Sequence, residues 1–153
     1  MAVHPVPANY PIVAPYLAID GAAEAIEFYK RAFGATERLR IDAPGGKIGH
    51  AELEIAGGLI MLADEYPPMD FLGPRARGGS SVMIHLYVED VDAFCDRAVR
   101  AGATLLRPVA DQFYGDRSGS LRDPYGHLWS VATHKEDLTT EELQRRAAAL
   151  YKG

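Results

Sequence analysis

Two histidines and one glutamate are the side chains in this sequence best suited to chemistry. His50 and Glu52 stand two residues apart, and His85 falls in a second apolar segment. A neutral histidine can take up a proton, and a neighbouring carboxylate can orient its ring. Two histidines and one carboxylate could also hold a metal ion with an open coordination position. The other interpretations are contact with a ligand and purely structural hydrogen bonding.

A second group of polar and aromatic side chains lies around position 115. Phe113 and Tyr114 are followed by Asp116 and Arg117. Arginine binds carboxylates in a bidentate manner and stacks on rings, so this segment could clamp an anionic or planar ligand. The alternative is a local ion pair that stabilises a long loop.

The elements that must position these residues follow a repeated order. Apolar spacing predicts strands over 12–19, 36–41, 48–55 and 59–63, with a helix over 21–33. After a segment rich in Pro and Gly, it predicts strands over 82–88, 104–108 and 128–133, a helix over 90–101, and a polar loop over 111–122 with a strand near its end. Both halves therefore read as βαβββ.

The repeat is also visible in the residues themselves. Leu17 precedes Leu86 by 69 residues, Gly34 precedes Gly102 by 68, and the segment 59–63 precedes 128–132 by 69. A nearly constant offset at three places indicates an internal duplication.

A further helix is predicted over 138–151, outside the repeat. Thr139 and Glu142 have the spacing of a capping box, and Leu143 and Leu150 belong to an apolar stripe. We expect this helix to pack on the body of the protein or on a second chain.

Composition fits one globular domain spanning 1–153. The chain is 48% hydrophobic, has a net charge of −5 and contains one cysteine, Cys95. Its acidity argues against nucleic acid as a partner, and no apolar run reaches the roughly 18 residues that a membrane span needs. With one cysteine there is no internal disulfide, which favours a reducing compartment, so we expect a cytoplasmic protein.

Three motifs carry a resemblance to a known family. They are Ile-Asp at 19–20 with Ala-Ile-Glu-Phe-Tyr at 25–29, Val-Glu-Asp-Val-Asp at 88–92, and Asp-Pro-Tyr-Gly-His at 123–127. The chain resembles the vicinal oxygen chelate superfamily, which includes glyoxalase I, extradiol dioxygenases and the fosfomycin- and bleomycin-resistance proteins. The family usually has Asn where this sequence has His127. The segments 50–53 and 112–117 resemble its PhnB-like branch.

The resemblance implies an α+β fold of two tandem βαβββ modules that form a half-barrel cavity, followed by the C-terminal helix. Module 1 is expected over about 10–64, the linker over 65–80 and module 2 over about 81–134. Family members complete their barrels within one chain or across a two-fold axis. Because open strand edges need covering, we expect a homodimer.

The resemblance also implies where a metal would be held. Metal-using members bind one divalent ion through His and Glu from four strands, and the matching positions here are Ala14, Met61, Met83 and Ser130. Alanine cannot coordinate, and thioethers suit soft ions. We therefore expect neither the usual metal site nor another cofactor; a divalent metal held by relocated ligands is the alternative.

Strand alternation then predicts which side chains face the cavity. Tyr16, His50, Glu52, Met61, Met83, His85 and Ser130 are expected to line one pocket shared by the modules, with Tyr114 and Arg117 at its mouth. The expected function is metal-free binding of a small organic ligand. The alternative is a metal-dependent lyase, isomerase or dioxygenase of the glyoxalase type that uses His50, Glu52 and His85. The sequence leaves open whether the protein is an enzyme.

Overall fold

The computed structural model describes residues 2–152, which form eight strands and four helices. The strands are β1 (Tyr16–Ile19), β2 (Thr36–Ala43), β3 (Lys47–Ile55), β4 (Gly58–Asp64), β5 (Met83–Tyr87), β6 (Thr104–Asp111), β7 (Asp116–Arg122) and β8 (Leu128–His134). The helices are α1 (Ala22–Phe33), the single turn α2 (Pro74–Arg77), α3 (Val91–Ala101) and α4 (Thr140–Leu150). None of the helices in this part of the chain is long and apolar enough to cross a membrane.

The strands form two four-stranded sheets of identical topology. Their orders are β1-β4-β3-β2 and β5-β8-β7-β6, and in each sheet the first and last strands of the module pair in parallel. One helix, α1 or α3, follows the first strand of each sheet. The α+β fold of two tandem βαβββ modules and a C-terminal helix, predicted from the sequence, is confirmed.

The two modules start their helices with the same hydrogen bond at equivalent positions. The Ala22 N–H at the start of α1 donates to the Asp64 carboxylate, and the Val91 N–H at the start of α3 donates to the Thr133 hydroxyl. Both pairs are related by the 69-residue offset. An oxygen at this position satisfies one of the N–H groups that a helix start leaves without an intrahelical partner.

The helix-covered sides of the two sheets share one apolar core. At its centre, Phe33 of α1 stacks on Phe94 of α3 with ring centroids 5.3 Å apart, and it lies edge-on to Trp129 of β8 at 4.8 Å. Because α1 and α3 contact each other directly, the modules are joined through equivalent helices.

A buried carboxylate links the modules beside this core. Asp123, in the turn before β8, accepts hydrogen bonds from the Tyr29 hydroxyl of α1 at 2.6 Å and the Trp129 indole N–H at 2.9 Å. It also accepts from the backbone N–H groups of Tyr125 and His127. The turn motif thus has a structural role, because its first residue is the acceptor for four donors.

Two segments differ from the sequence-based expectation. The first strand begins at Tyr16 rather than at 12, after two prolines, Pro11 and Pro15, that lack the N–H needed for strand pairing. The predicted polar loop over 111–122 is mostly strand, since β6 extends to Asp111 and β7 begins at Asp116.

Candidate functional site

In the part of the chain that the structure describes, each sheet has one side that no helix covers, called here its open face. One row of residues crosses the open face of module 1, because the strand register pairs each residue with the next. The row consists of Tyr16, Met61, Glu52 and Leu39. Tyr16 and Leu39 are 46% and 39% exposed, whereas Glu52 is buried. This row brings a carboxylate into a largely apolar surface.

Four polar side chains form a continuous hydrogen-bonded chain on this face. The Tyr16 hydroxyl lies 2.6 Å from His50 Nδ1, and His50 Nε2 lies 2.8 Å from Glu52 Oε2. The Tyr10 hydroxyl donates to Glu52 Oε1 at 2.6 Å. We call Tyr10, Tyr16, His50 and Glu52 the polar chain.

The electrostatics of the polar chain fix its hydrogen-bond directions. Burial raises the pKa of Glu52, but hydrogen bonds from His50 and Tyr10 outweigh it and hold that pKa below its ordinary value. An ionised carboxylate only accepts, so His50 Nε2 carries the proton. In the neutral ring, Nδ1 then accepts from the Tyr16 hydroxyl. Burial raises the pKa of Tyr16, so this hydroxyl stays protonated at neutral pH.

An apolar cavity of about 580 Å³ opens beside Tyr16. Its walls come from the starts of β1 and β3, the ends of β2 and β4, and the linker that follows β4. Tyr16 contacts both regions, since its ring lies 5.7 Å from that of Phe71 in the cavity wall and 5.4 Å from that of His50. Tyr16 therefore belongs to the polar chain and also lines the apolar cavity.

The open face of module 2 has the same geometry with different chemistry. Its equivalent row consists of His85, Ser130, Ser120 and Arg107. His85 Nδ1 lies 2.9 Å from the Ser130 hydroxyl. Met83, earlier on the same strand, is 47% exposed.

Asp116, at the start of β7, organises a further cluster in module 2. It accepts from the Tyr87 hydroxyl at 3.1 Å, and its other oxygen lies 2.7 Å from His134 Nδ1. The hydrogen bond to Asp116, followed by one to Asp137, raises the pKa of His134. Module 2 thus has a carboxylate–histidine pair of its own, at the end of the sheet where β7 begins and β8 ends.

The structure brings the predicted site residues together in two groups. Tyr16, His50, Glu52 and Met61 lie on the open face of module 1, and Met83, His85 and Ser130 lie on that of module 2. Within residues 2–152, no hydrogen bond or aromatic contact joins the two groups. A single pocket shared by all of them stays a prediction.

The two residues predicted at the mouth of the pocket have local partners. Arg117 forms a bidentate ion pair with Asp92 of α3 and a further pair with Asp111. The Tyr114 hydroxyl lies 3.1 Å from the Ser118 hydroxyl. A ligand that engaged the guanidinium would compete with Asp92 and Asp111.

The histidine of the polar chain has no ring nitrogen free of a hydrogen bond. Both ring nitrogens of His50 are already in hydrogen bonds, with Tyr16 and Glu52, so metal ligation would break one of them. Met61 offers only a thioether. Among residues 2–152, no three His, Cys, Asp or Glu side chains are grouped closely enough to hold an ion.

Sequence reasoning missed two members of this region. Tyr10 lies in an N-terminal segment without strand or helix, and only its long-range contact with Glu52 shows its role. Phe71 lies in the linker, 55 residues from the Tyr16 ring that it contacts. No local pattern in the sequence indicates either contact.

This fold defines a class of protein with two equivalent modules, each presenting an open sheet face. The model of the glyoxalase/bleomycin resistance protein/dioxygenase superfamily matches residues 12–131, and the chain belongs to that superfamily. It is similar to the uncharacterized protein Mb0911c of Mycobacterium bovis, with 44% identity over 137 residues that cover 88% of this chain and 90% of the relative.

Solved structures show the same fold. TioX from Micromonospora sp. ML1 is 30% identical, covers 84% of this chain and all of its own, and has a TM-score of 0.65. The PhnB protein from Bacillus cereus is 21% identical, with a TM-score of 0.60 over 80% of this chain and 99% of its own. At that identity the second comparison shows the fold alone.

Proposed function

We propose that this protein binds a small organic ligand at the open face of module 1, without a metal ion. The observation that carries the proposal is the position of Tyr16, which lines the apolar cavity and is hydrogen-bonded to the rest of the polar chain. A ligand lying there would bury its apolar body in the cavity and place a polar group beside Tyr16. Membership of the PhnB-like branch is part of the same proposal, supported by the motifs at 50–53 and 112–117.

The cavity has the size and chemistry of an organic ligand site. Its volume of about 580 Å³ falls within the roughly 300–1,000 Å³ of typical small-molecule pockets. Apolar and aromatic side chains including Ile48, Ala63, Met69 and Phe71 form much of the wall. Such sites combine many apolar contacts with a few polar groups that orient the ligand, and the Tyr16 hydroxyl supplies such a group here.

The polar chain supports a second candidate, a metal-free lyase or isomerase. Tyr16, His50 and Glu52 are linked in the order in which a proton could pass from a ligand to the histidine, with the carboxylate stabilising the imidazolium. An enzyme would convert its bound ligand, and the His50→Gln variant should lose this turnover while it still binds the ligand. That result would favour an enzyme over a protein that only binds.

Filling the cavity is expected to abolish ligand binding without unfolding the protein. Ala43 is half-buried and lines the cavity from the end of β2. The Ala43→Phe variant should lose at least about tenfold in affinity for a molecule selected by thermal-shift screening, because the new ring occupies the ligand volume. His50→Ala should weaken binding by about 3- to 10-fold, the effect of one hydrogen bond. Titration calorimetry measures both.

Ala110→Phe is the matched control, since it places the same ring on the exposed edge strand β6 of the other module. It should leave affinity unchanged. Equal losses in the two variants would contradict the cavity assignment. Stoichiometric divalent metal that disappears in His50→Ala would contradict the metal-free part of the proposal.

We also propose that the protein is a homodimer, because its open faces and sheet edges carry exposed apolar side chains. Ile41 on edge strand β2 is 53% exposed, and Leu105 on edge strand β6 is 42% exposed.

Light scattering should give a mass about twice 16.7 kDa. Ile41→Glu should shift the mass towards the monomer, and Val99→Glu, on exposed helix surface, should not. A monomeric mass for the unmodified protein at micromolar concentration rules the dimer out.

A further inference from the structure

Three aromatic residues line the cavity of module 1, two of them on a loop whose backbone is closed by hydrogen bonds. Tyr66 and Phe71 face each other across a tight loop, closed by backbone hydrogen bonds of 2.8 and 3.2 Å in the two directions. Tyr16 packs edge-on against Phe71, with ring planes at 75°. Tyr16, Tyr66 and Phe71 are called here the aromatic wall.

The loop that carries Tyr66 and Phe71 is fixed to the sheet. The Gly73 N–H donates to the Glu65 carboxylate at 2.6 Å, and the Glu65 N–H donates to the Ile19 carbonyl at 3.1 Å. A Cβ at Gly73 would lie 2.7 Å from the Ala18 carbonyl oxygen, so the loop passes directly against β1. The cavity is therefore a preorganised site, which reduces the entropy that binding costs.

Carboxylates outnumber cations around the aromatic wall. Asp64 and Glu65 line the cavity and accept hydrogen bonds from backbone N–H groups, which for Asp64 include those at the start of α1, and neither has a cationic side-chain partner among the described residues. Asp70 also lines it but pairs with Arg77 at 3.1 Å. Among the lining residues that the structure describes, Lys47 is the one cation. The local field therefore favours a positively charged occupant over an anion.

Aromatic rings and carboxylates without a cationic side-chain partner together favour one ligand chemistry. The face of an aromatic ring attracts a cation within about 6 Å, and groups of rings recognise quaternary and protonated amines. A neutral ligand would gain from the rings alone, and an anion would be repelled by Asp64 and Glu65. The mostly apolar wall adds affinity for the organic body that carries the charge.

We infer that the ligand of module 1 is an organic cation, a protonated or quaternary amine on an apolar body. This inference rests on the proposed function and specifies the chemical class of the ligand. The ammonium group lies against the aromatic wall, within reach of the Asp64 and Glu65 charges. The apolar body fills the remaining volume towards Ile48 and Ala63.

Two probes of nearly the same shape test the inference. Phenyltrimethylammonium carries the charge, and tert-butylbenzene replaces the nitrogen with carbon. In NMR titrations that follow the signals of Tyr16 and Phe71, the cation should bind about tenfold more tightly than the neutral probe. Equal affinity would overturn the inference but leave the proposed function standing. If neither probe shifts these signals, both are contradicted.

Two variants identify the groups responsible. Tyr66→Leu keeps an apolar side chain at an exposed position and should weaken binding of the cation by roughly 2- to 30-fold, the range of one cation–π contact. Glu65→Gln keeps an acceptor for the Gly73 N–H and should weaken the cation alone. Tyr87→Leu, an exposed tyrosine on the other open face, is the control and should change neither affinity. Equal weakening of both probes by Tyr66→Leu contradicts a role for charge.

Discussion

Replacing Asp123 with alanine is expected to lower the free energy of unfolding by about 3–5 kcal/mol. The change removes the acceptor of four donors, two of them the buried Tyr29 hydroxyl and Trp129 indole N–H. A buried donor left without a partner costs roughly 1–3 kcal/mol. Burial, together with the Asp123 charge, raises the pKa of Tyr29 well above its usual value, so the hydroxyl remains a donor. Denaturant unfolding measures the loss.

Tyr29→Phe provides the comparison, because it removes one donor and leaves Asp123 with the other three. It should cost about 1 kcal/mol. If Asp123→Ala costs no more than Tyr29→Phe, the carboxylate does not organise this turn as described. The comparison holds if both variants keep the m-value of the parent protein.

Replacing Phe33 with alanine is expected to cost a similar amount, about 3–5 kcal/mol, for a different reason. Phe33 is buried between the helices and contacts the rings of Tyr29, Phe94 and Trp129. Truncation loses apolar burial and leaves a cavity that rigid neighbours on both modules cannot fill. Because the cavity lies where the modules meet, we also expect the unfolding transition to become less cooperative.

Phe113→Ala is the matched control for this second variant. Phe113 is half-buried in the loop between β6 and β7 and contacts the ring of Tyr114. Its removal should cost about 1 kcal/mol or less. Calorimetry and denaturant unfolding should show one sharp transition for Phe113→Ala. A stability of Phe33→Ala within 1 kcal/mol of that control would show that the modules are not held together at this point.

The fold was predictable because its patterns are local. Alternation over 48–55 separates His50 and Glu52 from Leu53 and Ile55, and the structure places the second pair in the core. The constant offset between the halves predicts equivalent strand positions, and the register indeed pairs Tyr16 with Met61 and, 69 residues later, His85 with Ser130.

Strand β7 was not fully predictable, because most of its buried residues are small or polar. Ser118, Gly119 and Ser120 are buried between β6 and β8, although their types suggest a loop. A Cβ at Gly119 would meet the Val109 side chain at 2.9 Å, so close packing of the neighbouring strand explains the glycine. Tertiary packing, rather than strand propensity, decides this segment.

The candidate site was predictable in part for the same reason. The alternation of side chains along a strand predicts the face on which Tyr16, His50 and Glu52 lie. It does not predict which of them are in contact. The contact of Tyr10 with Glu52 spans 42 residues, and the contact of Tyr16 with Phe71 depends on how the linker folds back. Such contacts are set by the path of irregular segments, which carries no periodic signal.

The contact between α1 and α3 has a consequence for the origin of the chain. Each helix touches its own counterpart in the other module, which is the arrangement of an isologous interface between two copies of one subunit. A free module of this kind could bury the apolar face of its helix only by associating with a second module. The free energy of that association would depend on the protein concentration. Joining the copies through a short linker raises their effective concentration to the millimolar range. A fusion of two such copies would make the partner permanent, and each open face could then diverge without loss of the shared core.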